Sequence, residues 1–209
     1  MKTFIIAVTA FLFASLLNGI AGSSDLTPDA IKWLDWNSKN IGAVTSIYAN
    51  GGTVTVTPAG SGGFGADKGE ITFTSNNKDP IAEHQFGNAI WGAGGSDALF
   101  NPSALSGKAG IEMLVNVDPS STSDKICVKL KSNVTGEVYS QTVPVTRGSI
   151  QCVQFPLSKF KGTKNPDAVL TDFGILDGTI QITDGWNGFP KPAQAIWIVK
   201  CSYLYTYQL

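Results

Sequence analysis

The stretch SIQCVQFPLSKF, from Ser149 to Phe160, decides the fold. Val153, Phe155 and Leu157 share one parity, while Cys152, Gln154 and Pro156 share the other. Side chains alternate across a β-strand, so this pattern predicts a half-buried strand with an apolar inner face. Pro156 lacks a ladder donor and ends the pairing, and a short polar turn follows. The outward face then carries a thiol and an amide, and the remainder of the chain must account for them.

The neighbouring segments have the same texture. AGIEMLVNVD (109–118) is strongly apolar and predicts a central strand. DKICVKLKS (124–132) and EVYSQTVPV (137–145) predict a hairpin around Gly136. FGILDGTIQITD (173–184) supplies another strand or two, and AIWIVKCSYLYTYQL (195–209) closes the chain. Upstream, AVTSIYANGGTVTVTP (43–58) predicts a hairpin around Asn50-Gly51-Gly52. EITFTSN (70–76) reads as a strand, and a short one is expected near His84 to Ile90. Thr27-Pro28 suits the start of one helical turn. About nine short strands at roughly 10-residue spacing indicate an all-β sandwich or barrel.

Composition agrees. Only 15 % of residues are charged, Gly contributes 23 residues, and the net charge is −1. Such a chain is not built to bind nucleic acid or an anionic membrane. Met1-Lys2-Thr3, an apolar run from Phe4 to Leu17, and small residues through Ala21 and Gly22 predict a secretory signal peptide over 1–22. The run is shorter than the ~20 apolar residues of a spanning helix. Residues 23–209 are then expected to form one secreted, extracellular domain, with no membrane association after cleavage.

Three cysteines, Cys127, Cys152 and Cys201, cannot all pair within one chain. Cys127 and Cys152 both take outward parity, so a bridge between them is the favoured pairing, although spacing does not fix connectivity. The wide spacing and the single His argue against zinc. Asn133-Val134-Thr135 is a glycosylation sequon at the expected hairpin tip.

The segments AGIEMLVNVDPSSTSDKICVKLKS, EVYSQTVPV, SIQCVQFPLSKFKG and AIWIVKCSYLY, in that order, resemble the jelly-roll carbohydrate-binding modules with their galactose-binding-like sandwich. The resemblance covers roughly residues 108 to 203, and Phe155-Pro156-Leu157-Ser158-Lys159-Phe160 is its most specific piece. It implies a two-sheet antiparallel jelly-roll sandwich and a polysaccharide or other glycan as partner. Many such modules hold a structural calcium with an acidic residue before the last strand. No Asp or Glu lies between Pro190 and Leu209, so no cofactor is expected here.

Sugar binding needs flat aromatic rings and polar groups that select hydroxyls. Trp91 in AIWGAGG and Trp186 in TDGWNGFP stand in glycine-flanked loops and are the candidate stacking residues. Gln154, Lys129 and Asp184 are the candidate polar contacts, with Gln141 or Tyr139 near them on the outward face. Trp197 shares parity with Val199 and belongs to the core, and Trp33 and Trp36 pin the N-terminal segment. Tyr203, Tyr205 and Tyr207 recur at period two and share a strand face. The alternative is a polysaccharide-degrading hydrolase or lyase. Glu112, inside an apolar strand, would be its central acid, with Glu83, Asp172 or Asp184 as partner and His84 as a base.

Overall fold

The computed structural model describes residues 25–34, 48–50, 52–57, 70–75, 85–87, 102–185 and 196–208. Alternating parity turns most of them into strands. In chain order these are β1 (Ile31–Leu34), β2 (Tyr48–Asn50), β3 (Gly52–Thr57), β4 (Glu70–Ser75), β5 (Gln85–Gly87) and β6 (Gly110–Val117). They continue with β7 (Lys125–Ser132), β8 (Val138–Pro144), β9 (Ile150–Pro156), β10 (Lys161–Gly162), β11 (Leu176–Thr183), β12 (Trp197–Cys201) and β13 (Leu204–Tyr207). Single turns of 3-10 helix follow β9 and precede β11.

The strands form two antiparallel sheets. One runs β1-β13-β6-β12-β4-β3, with β9 also paired to β6. The other runs β10-β8-β7-β11-β5-β2. This is the all-β, two-sheet sandwich that SIQCVQFPLSKF predicts. Val153, Phe155, Leu157 and Phe160 are buried, and Gln154 is exposed. The inner faces enclose one apolar cluster. It takes Ile111, Met113 and Val115 from one sheet and Ile126, Val128, Ile180 and Ile182 from the other. Trp197 is fully buried within it, its ring 5.3 Å from that of Phe73.

β6 is central, as its apolar run suggests, and β12 and β13 follow one another along one side of it. Between them Ser202 rescues the ladder. Its N–H donates to the Leu114 carbonyl at 2.8 Å, and its Oγ accepts from the Leu114 N–H at 2.9 Å. A side-chain oxygen thus replaces a backbone acceptor where the strand breaks. The β7–β8 hairpin forms as expected, with Gly136 at φ +65° and Asn133 exposed in the turn.

Two expectations fail. The segment around Asn50-Gly51-Gly52 is not a hairpin, because β2 pairs with β5 while β3 pairs with β4 in the other sheet. Glycine permits a crossing between sheets as readily as a tight reversal, and the partner strands decide between them. The Thr27-Pro28 signal makes one turn, closed by the Ala30 N–H on the Thr27 carbonyl at 3.0 Å, and then enters β1 rather than a helix.

Candidate functional site

The outward face of the six-stranded sheet is built from the alternate positions that the core rejects. In β7 the core takes Ile126, Val128 and Leu130, which turns Lys125, Cys127, Lys129 and Lys131 outward. Register then carries one row across the sheet. Lys161 of β10 lies opposite Ser140 of β8, Ser140 opposite Lys129 of β7, and Lys129 opposite Gln181 of β11. The row runs on in register to Gly87 of β5 and Tyr48 of β2. At about 4.8 Å per strand the six positions span on the order of 24 Å. A second row places Thr142, Cys127 and Thr183 side by side.

This face slopes from open to covered. Lys161 and Thr142 are exposed, and Ser140 and Lys129 are half-buried. Gln181 keeps 2 % of its surface, although it sits between the core residues Ile180 and Ile182 and therefore points away from the core. Its amide Nε2 is buried with no hydrogen-bond partner among the described residues. A buried amide donor without a partner costs about 1–3 kcal/mol, so such a group marks a place where another acceptor is wanted.

The chain leaving β11 helps to form this face. Gly185 has φ +63°, and its N–H donates to Thr183 Oγ1 at 3.1 Å. A Cβ there would lie 2.8 Å from Thr142 Cγ2 and 3.3 Å from Lys125 Cβ, so only glycine fits against the sheet at this point. Trp186 is the next residue in sequence.

The outward face of the seven-stranded sheet carries a different cluster. Glu112 is wholly buried there, between Gln154 of β9 and Tyr205 of β13. Its Oε1 accepts from the N–H and the hydroxyl of Thr27, both at 2.8 Å. Its Oε2 accepts from Gln154 Nε2 at 3.0 Å and from Cys152 Sγ at 3.6 Å. Burial first, then the Glu112 charge beside it, pushes the Cys152 thiol up to about 12. Burial and the same carboxylate, with Cys152, push the Tyr207 phenol up to about 12. Both Glu112 oxygens hold structural partners, so the thiol and amide that SIQCVQFPLSKF turns outward serve to satisfy a buried charge.

The residues singled out in the sequence are therefore divided. Lys129 and Gln154 do not share a face: β7 and β9 lie in different sheets, and the two residues point out of opposite sides of the sandwich. The expected Cys127–Cys152 bridge is absent for the same reason, and all three cysteines are free thiols. Gln141 and Tyr139 lie opposite Val128 and Leu130 on the inner side of β8, so Ser140 and Thr142 take the outward places. Asp184 is 3 % exposed just beyond β11, where its carbonyl accepts from Ser123 Oγ at 2.7 Å. It belongs to the opposite sheet from Glu112, and Asp172 caps the turn before β11 by accepting from the Gly174 N–H. Tyr203, Tyr205 and Tyr207 are all buried, Trp33 packs partly buried against the core, and the Lys32 ammonium stands 5.5 Å from the Tyr203 ring centre. Trp36, Glu83, His84, Trp91 and Trp186 lie outside the described residues. Gln181 and Ser140 were missed, although period-two alternation in DGTIQITD and EVYSQTVPV marks both.

No protein-family profile and no curated protein sequence matches the chain. In three dimensions it is similar to an agarase, AgWH50C, with 8 % identity and a TM-score of 0.53 over 87 % of this chain and 25 % of that one. An exo-β-agarase gives 10 % identity and 0.53 over 85 % of this chain and 25 % of that one. A family 11 carbohydrate-binding module from Clostridium thermocellum, solved with a β-1,3-1,4-mixed-linked tetrasaccharide, gives 12 % and 0.46 over 86 % of this chain and 96 % of that one. The chain spans a quarter of the length of the agarases it matches. The likeness is one of fold.

Proposed function

We propose that the protein is a secreted polysaccharide-binding module, without catalysis of its own, that takes a glycan chain along the outward face of the six-stranded sheet. The carrying observation is the row Lys161, Ser140 and Lys129, three polar side chains set in register across adjacent strands at the open side of the sheet. Donors spaced along a stiff sheet suit a ligand that presents hydroxyl and ether oxygens at intervals. Trp186 follows Gly185, which lies against Thr142 and Lys125 of this same face, and Trp186 with Trp91 supplies the stacking rings. The fold likeness to a portion of two agarases accords with this reading.

A glycan array, with release of reducing ends and unsaturated products followed on the same sample, tests it. The expected result is retention of a glycan without product. Lys129→Ala and Ser140→Ala should each weaken binding about tenfold, equivalent to about 1.4 kcal/mol. Gln154→Ala, on the opposite side, should leave affinity intact. Weakening by Gln154→Ala alone would move the site to the other sheet and defeat the proposal.

A further inference from the structure

The outward positions of the six-stranded sheet are rich in cations, and this names the class of glycan. Lys125, Lys129 and Lys131 occupy three of the outward places on β7, Lys125 about 13 Å from Lys129 with Cys127 between them, and Lys131 about 7 Å beyond Lys129. Lys161 stands two strands away in the row of Lys129, about 10 Å off. Lys131 is engaged by Asp177 at 3.5 Å. Lys125 and Lys161 are exposed, and neither forms an ion pair with a described residue. The chain as a whole carries a net charge of −1, so this concentration of ammonium groups on one face is local. Beside these cations the Ser140 and Thr142 hydroxyls can donate as well, and the described acid of this face, Asp177, is taken up by Lys131.

We infer that the ligand is a polyanionic glycan, its carboxylate or sulfate groups lying over the exposed Lys125 and Lys161 while its hydroxyls reach Ser140 between them. The inference rests on the glycan-binding reading above and narrows it. A neutral glucan would gain little from ammonium groups, which in water interact strongly only with an opposite charge. A chain of regularly spaced anions engages several at once, and that attraction weakens as salt screens it.

Affinity electrophoresis and calorimetry of the full chain with polygalacturonate, κ-carrageenan and mixed-linkage β-glucan form the test. Binding to one or both polyanions is expected, falling about tenfold or more between roughly 0.05 and 0.5 M salt. The double variant Lys125→Gln/Lys161→Gln should lose about tenfold in that affinity with its melting temperature unchanged. Preference between polygalacturonate and κ-carrageenan assigns carboxylate or sulfate. Equal binding of the neutral glucan, insensitive to salt and to the double variant, overturns the polyanion assignment and leaves glycan binding standing. Polyanion binding that the double variant does not weaken overturns its placement on this face. Failure to bind any of these or any arrayed glycan removes the underlying reading itself.

Discussion

Thr27 and Glu112 are 85 residues apart and meet on one carboxylate oxygen, which takes both the N–H and the hydroxyl of Thr27 at 2.8 Å. The contact ties the segment ahead of β1 across the outward face of β6. It lets a charge sit fully buried inside an otherwise apolar strand, because four donors replace the water that was lost.

Glu112→Gln should therefore lower stability. The new amide nitrogen would face either Thr27 or the Gln154 amide, donor against donor, and the charge-assisted bonds would be gone. A loss of about 2–3 kcal/mol is expected in urea unfolding. Unchanged stability, with loss of some polysaccharide-cleaving activity instead, would give Glu112 the catalytic role it lacks here.

Alkaline pH should weaken the fold. The Cys152 thiol rises from its usual 9.0, and the Tyr207 phenol from 10.0, each to about 12, so the native state keeps protons that the unfolded chain has already released. Stability should then fall as pH climbs from about 9 to about 12, and be unaffected by these groups below that window. Tyr207→Phe should flatten the decline. A stability curve level through this range would contradict the burial of both groups.

Thiol titration offers an independent check. All three cysteines are free, two are buried, and the third is held protonated beside Glu112. Reaction with a disulfide reagent near pH 8 should be slow in the native protein, since the thiolate is the attacking form, and should reach three thiols on denaturation without reductant. Recovery of one thiol would reveal a bridge.

Gln181→Leu tests the fold apart from binding. The substitution removes a donor that has no partner among the described residues and keeps the bulk, so stability should hold or rise by about 1 kcal/mol. Glycan affinity should hold, because the amide is almost wholly covered and out of a ligand's reach. A marked loss of stability would show that the amide supports the fold.

Trp186→Ala should weaken glycan binding by about 2 kcal/mol, the size expected of an aromatic anchor, and leave the melting temperature nearly unchanged. Loss of stability with binding intact would assign the ring to the core.

Much of the architecture was legible along the chain. The parity of SIQCVQFPLSKF named which side chains enter the core, and Val153, Phe155 and Leu157 do. The apolar run 110–117 announced the central strand, and Gly136 announced its hairpin. These are local matters, because period-two alternation reports burial within a single strand. Parity is silent on which sheet a strand joins. Lys129 and Gln154 both read as outward, and so did Cys127 and Cys152, yet the sandwich has two outsides.

The amino-acid sequence by itself determined the longer strands of residues 110–156, the inner faces of β6, β7 and β9, and the all-β class, since each follows from a short pattern of apolar and polar residues. Only the tertiary structure decided that Lys129 joins Ser140 and Lys161, that Gln154 and Cys152 turn to Glu112, and that Gln181 is buried with a donor that no described residue takes up. Those relations depend on pairing between strands far apart in the chain, and pairing is settled by the packing of the whole core rather than by any one segment.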